Sequence, residues 1–336
     1  MNKKLYMNLS MFDLNTQTTT LKTTGNDLSP EMKTFYDKNL IRLASPLLVH
    51  DQFAQKRNIP KNGGKEVEFR KIDGLAKAMT PLTEGVTPNG NKLNVTSLTA
   101  KVSQYGDYIT LSDVLELTTI DPIQTETQRI LADQAGRTLD TITRDVMCSG
   151  TNVMYAGGRA TRAAITATDT LKVVDIQKAV RALKAQNAKP ISGGYFVAII
   201  HPDTAYDIMR DTEWIDASKY AGAEQLFSGE IGRIRGCRFI ESTEAKIVDS
   251  SSGLSGMPTG VSLYFTMVLG ADFYGTTEIT GGGLQYIITQ LGSGGSSDPL
   301  GQRATMGWKA IKTAEILVQT YGIRIESAST FNGVAN

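Results

Sequence analysis

The stretch Asp121–Gly150 constrains the fold most, because its pattern predicts one long helix. Asp121 is a suitable N-cap, Pro122 suits the first helical position, and Gln124 completes a capping box. Such a helix spans roughly 40 Å, which is about seven turns, whereas the average helix has about three turns. Residues at helical spacing form its predicted apolar stripe: Ile123, Thr127, Ile130, Leu131, Leu139, Ile142 and Val146. A rod of this length is unusual in a compact enzyme domain.

A long hairpin is predicted ahead of this helix. Residues Lys65–Ile72 alternate in polarity, and Leu93–Leu111 is rich in Val, Thr, Ile and Tyr, as strands are. The segment between them is polar and is punctuated by prolines and glycines. A long hairpin with so few apolar residues is marginal alone, so we expect it to reach out and contact a partner surface.

The middle of the chain, Val174–Gly270, predicts an α/β unit. An amphipathic helix covers Val174–Asn187, with Ile176, Val180 and Leu183 facing inward. The apolar run Tyr195–Ile200 predicts a strand covered on both faces. The remaining predicted elements of the unit are a helix that begins at His201-Pro202-Asp203, a hairpin over Gly229–Ser242 and a strand over Val261–Gly270.

The two ends of the chain carry weaker patterns. Residues Met1–Leu28 predict an extended or partly disordered arm, and Ser29-Pro30-Glu31 predicts a helix start. Leu284–Leu291 predicts a strand, and Gly292–Ser297 predicts a flexible loop. Thr305–Val318 fits a strand or a helix; a strand that continues to Ile325 is favoured.

Composition excludes several classes of protein. The chain has 35 Lys+Arg against 34 Asp+Glu, which argues against a dedicated nucleic-acid binder because phosphate neutralisation needs a basic surplus or a basic face. Two cysteines, Cys148 and Cys237, fit buried thiols in a reducing compartment better than a disulfide. No stretch approaches the roughly 20 apolar residues of a membrane span, and the N-terminus lacks the apolar core of a secretory signal.

Catalytic and metal-binding patterns are not apparent in the sequence. The two histidines, His50 and His201, have no second His or Cys at ligand spacing, and His201 fits a helix cap. No nucleophile elbow, zinc-protease or Walker A motif is present. The acidic and basic residues of the long helix predict solvated or inter-subunit ion pairs. The sequence therefore favours a structural protein, with an enzyme of unfamiliar site as the remaining option.

An ordered set of segments resembles the N4-gp56 family of tailed-phage major capsid proteins. The resemblance covers the chain from about Leu28 to Ser327. The segments that carry it are Ser29–Lys38 (SPEMKTFYDK), Pro81–Pro88 (PLTEGVTP), Gln104–Tyr108 (QYGDY), Thr138–Asp140 (TLD), Gly229–Gly236 (GEIGRIRG) and Gly307–Lys309 (GWK).

The resemblance implies an α+β fold of the HK97-like capsid type, with a separate α/β axial domain. Residues 1–57 would form an N-terminal arm and helix, and 58–112 an extended hairpin loop. Residues 113–170 would form a peripheral domain around a spine helix at 121–150. Residues 171–275 would form the axial domain, and 276–336 strands that return to the peripheral domain. Residues 1–29 leave no room for a helical scaffolding segment, so a separate scaffolding protein is expected, or none.

The function implied is self-assembly into the icosahedral or prolate shell that encloses a phage genome. Expected partners are further copies in hexamers and pentamers, a portal protein, a decoration protein and packaged double-stranded DNA bound non-specifically, with no membrane and no cofactor. The expected location is the virion, after assembly in the bacterial cytoplasm. An encapsulin-like compartment shell is the alternative. The candidate inter-subunit contact residues are Arg70, Lys71, Leu82, Glu84, Val86, Arg129, Arg137 and Arg144.

Overall fold

A computed structural model describes residues 18–19, 49–60, 62, 64–72, 74–87, 89–119, 123–191, 193–220, 232–279, 284–292 and 298–336. The strands are β1 (Thr18–Thr19), β2 (Gln55–Ile59), β3 (Glu66–Ile72), β4 (Val95–Lys101), β5 (Ser103–Ser112), β6 (Val153–Tyr155), β7 (Phe196–Ile200), β8 (Arg233–Ile234), β9 (Cys237–Glu241), β10 (Ile247–Val248), β11 (Leu263–Leu269), β12 (Tyr274–Ile279), β13 (Gln285–Thr289), β14 (Arg303–Ile316) and β15 (Gly322–Ser327). The α-helices are α1 (Asp113–Thr118), α2 (Ile123–Cys148), α3 (Val173–Ala185), α4 (Pro202–Met209) and α5 (Thr212–Tyr220). Short 3-10 helices cover Ala156–Gly158, Arg162–Ala164 and Gln319–Tyr321.

The chain divides into two compact units. The first takes in the described residues within Met1–Ser45, Gln104–Gly136 and Gly282–Ile311. The second takes in those within Pro46–Ser103, Arg137–Gly281 and Lys312–Asn336. Three of the boundaries fall inside elements, namely β5, α2 and β14. The division of the chain into five segments implied by the resemblance stays a prediction.

The second unit is built on a mixed sheet with the strand order β6-β15-β11-β7-β9-β8, and β10 pairs with β11. Strand β7 is buried at every position, as its apolar run predicts. Helix α3 packs on one face through Ile176, Val180 and Leu183, which are all buried. The other face is covered by residues that include Met147 and Cys148 at the end of α2. The predicted α/β unit is therefore a sheet with a core on both sides.

Local sequence signals account for how several elements of this unit begin and turn. The His201 ring accepts a hydrogen bond from the Asp203 backbone N–H at 3.2 Å, which confirms the predicted cap of α4. Burial lowers the pKa of His201, so the ring favours the neutral form that can accept this bond. Strands β8 and β9 join through Arg235 and Gly236, both with positive φ, as expected for a tight hairpin. Residues 229–231 of that predicted hairpin lie outside the described residues.

The first unit contains the sheet order β1-β5-β14, with β13 also paired to β14. The backbone of Thr18–Thr19 runs parallel to Thr110 and Leu111 of β5. Helix α2 is fastened through Gln134, which accepts a hydrogen bond from Trp308 Nε1 at 3.2 Å and donates one to Asp107 at 2.7 Å. The predicted helix after Ser29-Pro30-Glu31, the cap residues Asp121 and Pro122, and residues 293–297 of the predicted loop lie outside the described residues.

The long helix exists as predicted, but its predicted apolar stripe is partly wrong. Ile130 is 45% exposed, whereas Asp140 and Arg144 are each only 2% exposed. These charges tolerate burial because partners within the subunit satisfy them, an arrangement that helical periodicity cannot reveal. Gly150 does not adopt the left-handed conformation of a helix-ending glycine.

The strand interpretation of Thr305–Val318 is confirmed by β14. Its continuation to Ile325 is wrong, because β14 ends at Ile316, where its pairing with Tyr274 of β12 ends. The chain then turns through Gln319–Tyr321 and enters the other sheet as β15, beside β11. A break of this kind depends on partner strands that lie elsewhere in the chain.

Candidate functional site

The predicted hairpin is present, and it projects a long loop. Strands β3 and β4 pair in antiparallel register from Glu66↔Lys101 to Ile72↔Val95, and residues 73–94 connect them. The Val102 N–H donates to the Lys65 carbonyl at 3.0 Å and closes the base. The strand predicted over Leu93–Leu111 is divided at Val102, because β5 belongs to a different sheet.

The base of the hairpin is anchored on its own subunit through Phe69. Phe69 and Ala100 are the buried apolar residues of β3 and β4. Gly275 of β12 lies against the Phe69 ring so closely that a Cβ there would sit 3.0 Å from Cε1. The guanidinium of Arg57, on β2, lies 6.0 Å from the centre of the same ring, within cation–π range. One aromatic side chain thus fixes the hairpin to β2 and β12.

Beyond this anchor the hairpin exposes its apolar side chains to solvent. Met79 is 80% exposed and Leu82 is 76% exposed. The other exposed large apolar residues of the segment are Ile72, Leu75, Val86, Leu93 and Val95. Scattered apolar residues are normal on surfaces, whereas this series is concentrated in one segment of the chain.

The tip of the loop is a turn centred on Glu84 and Gly85. The Val86 N–H donates to the Thr83 carbonyl at 3.2 Å, and Gly85 has φ of 76°, a conformation that favours glycine. The turn leaves Leu82, Glu84 and Val86 exposed. The sequence-predicted candidates of the loop therefore lie close together, with one carboxylate between two aliphatic side chains.

An open groove of about 410 Å³ lies at the base of the hairpin. Its lining residues include the cationic Arg57, Arg70 and Lys71 and the acidic Asp272. Arg70 also donates a hydrogen bond to Glu68 at 3.1 Å. The groove thus combines cationic and apolar lining residues. The apolar lining includes Phe69, Leu317 and Tyr321.

The candidate arginines of α2 have three different environments. Arg129 is exposed and lies 4.0 Å from Glu126. Arg137 is exposed and donates to Glu244 at 3.0 Å. Arg144 is buried, and its guanidinium donates to the Glu244 carbonyl at 2.9 Å and to Asp145 at 3.1 Å. Of the three, Arg129 and Arg137 offer exposed guanidinium groups.

A buried polar cluster that sequence reasoning missed lies where His50 meets α2. The His50 Nδ1 lies 2.6 Å from Asp140 Oδ2, and the His50 backbone N–H donates to Asp140 Oδ1 at 2.9 Å. The Tyr274 hydroxyl donates to the His50 carbonyl. Burial raises the pKa of Tyr274, which keeps that donor protonated. The cluster is fully connected and closed to solvent, so it fits a structural role.

A second buried contact lies beside this cluster. Lys312 of β14 is 2% exposed and donates to Asp51 and to the Leu139 carbonyl. Thr143 donates to the same Asp51 carboxylate at 2.6 Å. The helix and the strand are thereby joined by charge-assisted bonds rather than by apolar contact alone.

Both cysteines are buried free thiols, as the sequence predicts. Burial raises the pKa of Cys148 and of Cys237 to about 12, so both thiols are protonated at neutral pH. Within the described residues, no group of three or more His, Cys, Asp or Glu side chains is arranged to hold a metal ion. None of the described helices combines the length and apolar character that a bilayer crossing requires.

The exposed hairpin, the long helix and the two-faced sheet together define the HK97-like capsid fold. The structure is similar to the capsid of the cyanophage P-SCSP1u, with a TM-score of 0.65, 15% identity, and coverage of 91% of this chain and 96% of that chain. It is similar to the capsid of Ralstonia phage GP4, with a TM-score of 0.65, 15% identity, and coverage of 93% and 99%. The cyanophage Pam1 capsid asymmetric unit gives a TM-score of 0.64, 15% identity, and coverage of 80% and 86%.

The sequence itself decides the family. A family model described as phage capsid protein matches residues 95–317, which is more than half of the chain. The chain therefore belongs to the phage capsid protein family, and its function is that of a shell-forming major capsid protein of the virion. No curated protein sequence matches the chain.

Proposed function

We propose that the protein builds the head shell of a tailed bacteriophage, as a member of the N4-gp56 family, and that its hairpin carries contacts between subunits. The observation behind this proposal is the exposed apolar series on residues 72–95, in which every described residue is exposed. Because an isolated hairpin is marginal in water, a neighbouring subunit is the natural cover for it. Its candidate residues Arg70, Lys71, Leu82, Glu84 and Val86 would supply these contacts.

The proposed assembly proceeds through repeated weak contacts that close into hexamers and pentamers and then into a shell. A separate scaffolding protein would guide closure in the bacterial cytoplasm, a portal protein would occupy one vertex, and a decoration protein could bind outside. The balance of 35 basic and 34 acidic residues supports an inner face that contacts double-stranded DNA without recognising its sequence. The proposed role is structural rather than catalytic.

The test is removal of residues Gly74–Lys92, which takes away the loop and leaves the paired strands β3 and β4. We expect a folded subunit that does not close shells, because the anchor at Phe69 and Gly275 is retained while four of the seven exposed apolar residues, Leu75, Met79, Leu82 and Val86, are lost. Circular dichroism and thermal melting report folding, and negative-stain electron microscopy with sedimentation reports shells.

A matched control replaces single exposed leucines. Leu82→Ser, in the loop, should lower the yield of shells, whereas Leu254→Ser, at a 42% exposed site outside the hairpin, should not. Each variant should be co-expressed with the neighbouring phage genes, so that a missing scaffolding protein does not imitate a failed contact. Normal particles from the loop deletion would refute the assembly role of the hairpin.

A further inference from the structure

The two ends of the hairpin carry complementary chemistry. We define the tip as residues Leu82–Val86, and the base groove as the cavity lined by Arg57, Arg70, Lys71, Leu317 and Tyr321. We propose that the tip of one copy docks in the base groove of a neighbouring copy, with Glu84 against the cationic residues and Leu82 and Val86 against the apolar lining residues. This inference rests on the proposed function, since it names the acceptor for the hairpin of that same assembly.

The tip is shaped to present a single carboxylate. The turn closed by the Thr83–Val86 hydrogen bond places Glu84 at its outer corner. Leu82 is 76% exposed and Val86 is 63% exposed, so both aliphatic side chains flank that carboxylate in solvent. A ligand of this kind needs an acceptor that offers positive charge and apolar surface side by side.

The base groove offers both. Three of its lining residues are cationic, against the single carboxylate of Asp272. The Arg57 guanidinium lies 6.0 Å from the centre of the Phe69 ring, and Arg70 donates one hydrogen bond to Glu68 at 3.1 Å. Arginine has five N–H donors, which leaves further donors for a carboxylate from outside. A volume of about 410 Å³ suits a few side chains rather than a whole element.

The occupant is another copy rather than the same chain. Ile72 lines the groove, and the turn at the tip begins eleven residues later, at Thr83. A fully extended chain of eleven residues reaches roughly 36 Å, so the tip can lie far from the groove of its own subunit. Among the described residues, none from the tip lines the groove of its own subunit. Contact between two different patches on identical subunits is heterologous, and such contacts generate rings when the rotation closes. The pairing therefore suits hexamers and pentamers.

The test exchanges charges between the two surfaces. Glu84→Lys alone, and Arg57→Glu with Lys71→Glu alone, should each lower the yield of shells about tenfold, because like charges then face each other. The three substitutions together should restore the yield. Matched controls make the same charge changes outside both surfaces: Glu66→Lys for the tip, and Lys56→Glu with Lys65→Glu for the groove. These controls should assemble as the unchanged protein does.

Direct proximity is tested by cross-linking between copies. Val318 also lines the base groove. Subunits with Val86→Cys are mixed with subunits with Val318→Cys and oxidised with copper phenanthroline during assembly, and the native thiols are buried and do not compete. A covalent dimer that forms only in the mixture supports docking. If the groove variant does not fold, Glu84→Lys and this cross-link decide the outcome.

The two proposals fail in distinguishable ways. If the loop deletion abolishes shells, but charge reversal changes nothing and no mixed dimer forms, the docking site is wrong and the assembly role of the hairpin stands. If the loop deletion gives normal shells, the assembly role of the hairpin and the docking site are both wrong. If charge reversal lowers the yield of shells in the controls as much as in the test variants, the proposed docking site is also wrong.

Discussion

At the scale of single residues, the buried pair of His50 and Asp140 shows how the long helix is held. Both side chains are almost inaccessible, and the carboxylate accepts the His50 backbone N–H while it contacts the ring. Asp140→Ala would leave the backbone N–H and the ring of His50 buried without the carboxylate that both contact. We expect the free energy of unfolding to fall by about 2–6 kcal/mol, because each of the two buried groups left without a partner costs about 1–3 kcal/mol.

The measurement is urea denaturation of the unassembled subunit, because contacts in a shell would add to its stability. Glu126→Gln is the matched control, since it removes a carboxylate from the same helix where the nearest arginine lies 4.0 Å away on the surface. It should cost no more than about 0.5 kcal/mol. An Asp140→Ala variant as stable as that control would contradict the structural role of the pair.

At the scale of elements, the anchor of the hairpin is a close approach between Phe69 and Gly275. A valine at Gly275 would drive its side chain into the ring, which lies 3.0 Å from the position of a Cβ. We expect Gly275→Val to cost about 1–3 kcal/mol and to loosen the hairpin, because overpacking forces neighbouring groups to shift. Hydrogen exchange should become faster in β3 and β4 while α3 stays protected.

Gly74→Ala is the control for this variant. Gly74 lies in the exposed loop, and no atom comes within 4 Å of a Cβ built there. Exchange in β3 and β4 should therefore stay as in the unchanged protein. Equal protection of β3 and β4 in Gly275→Val and Gly74→Ala would show that the Phe69 contact does not hold the hairpin.

The same elements show what sequence patterns can and cannot reveal. The hairpin, α3 and β7 follow from local periodicity, because each buries a face set by its own residues. The pairing of β2 with β12, Gln55 beside Gly275, joins distant segments and leaves no local pattern. The buried side of α2 was mispredicted for a similar reason, since Asp140 is satisfied by a histidine 90 residues away. The loop candidates followed from sequence, whereas the groove required Arg57 and Tyr321 to be brought together by folding.

At the scale of the whole molecule, assembly should raise the melting temperature of the subunit. Neighbouring copies bind the folded subunit and not the unfolded chain, so they raise its melting temperature by mass action. At a concentration about 100-fold above the dissociation constant of a contact, the gain is about 2.7 kcal/mol, or about 4 °C for a chain of this size. Differential scanning calorimetry over a range of protein concentrations should show this rise for the unchanged protein.

The variant that lacks residues Gly74–Lys92 separates assembly from intrinsic stability. It retains the sheets, the long helix and the anchored base of the hairpin, so its melting temperature should equal that of the unassembled subunit at every concentration. The unchanged protein should approach the same value on dilution, because dilution removes neighbours and leaves the fold intact. A deletion variant whose melting temperature still rises with concentration would place the main contacts outside the loop and would direct attention to the exposed arginines of α2.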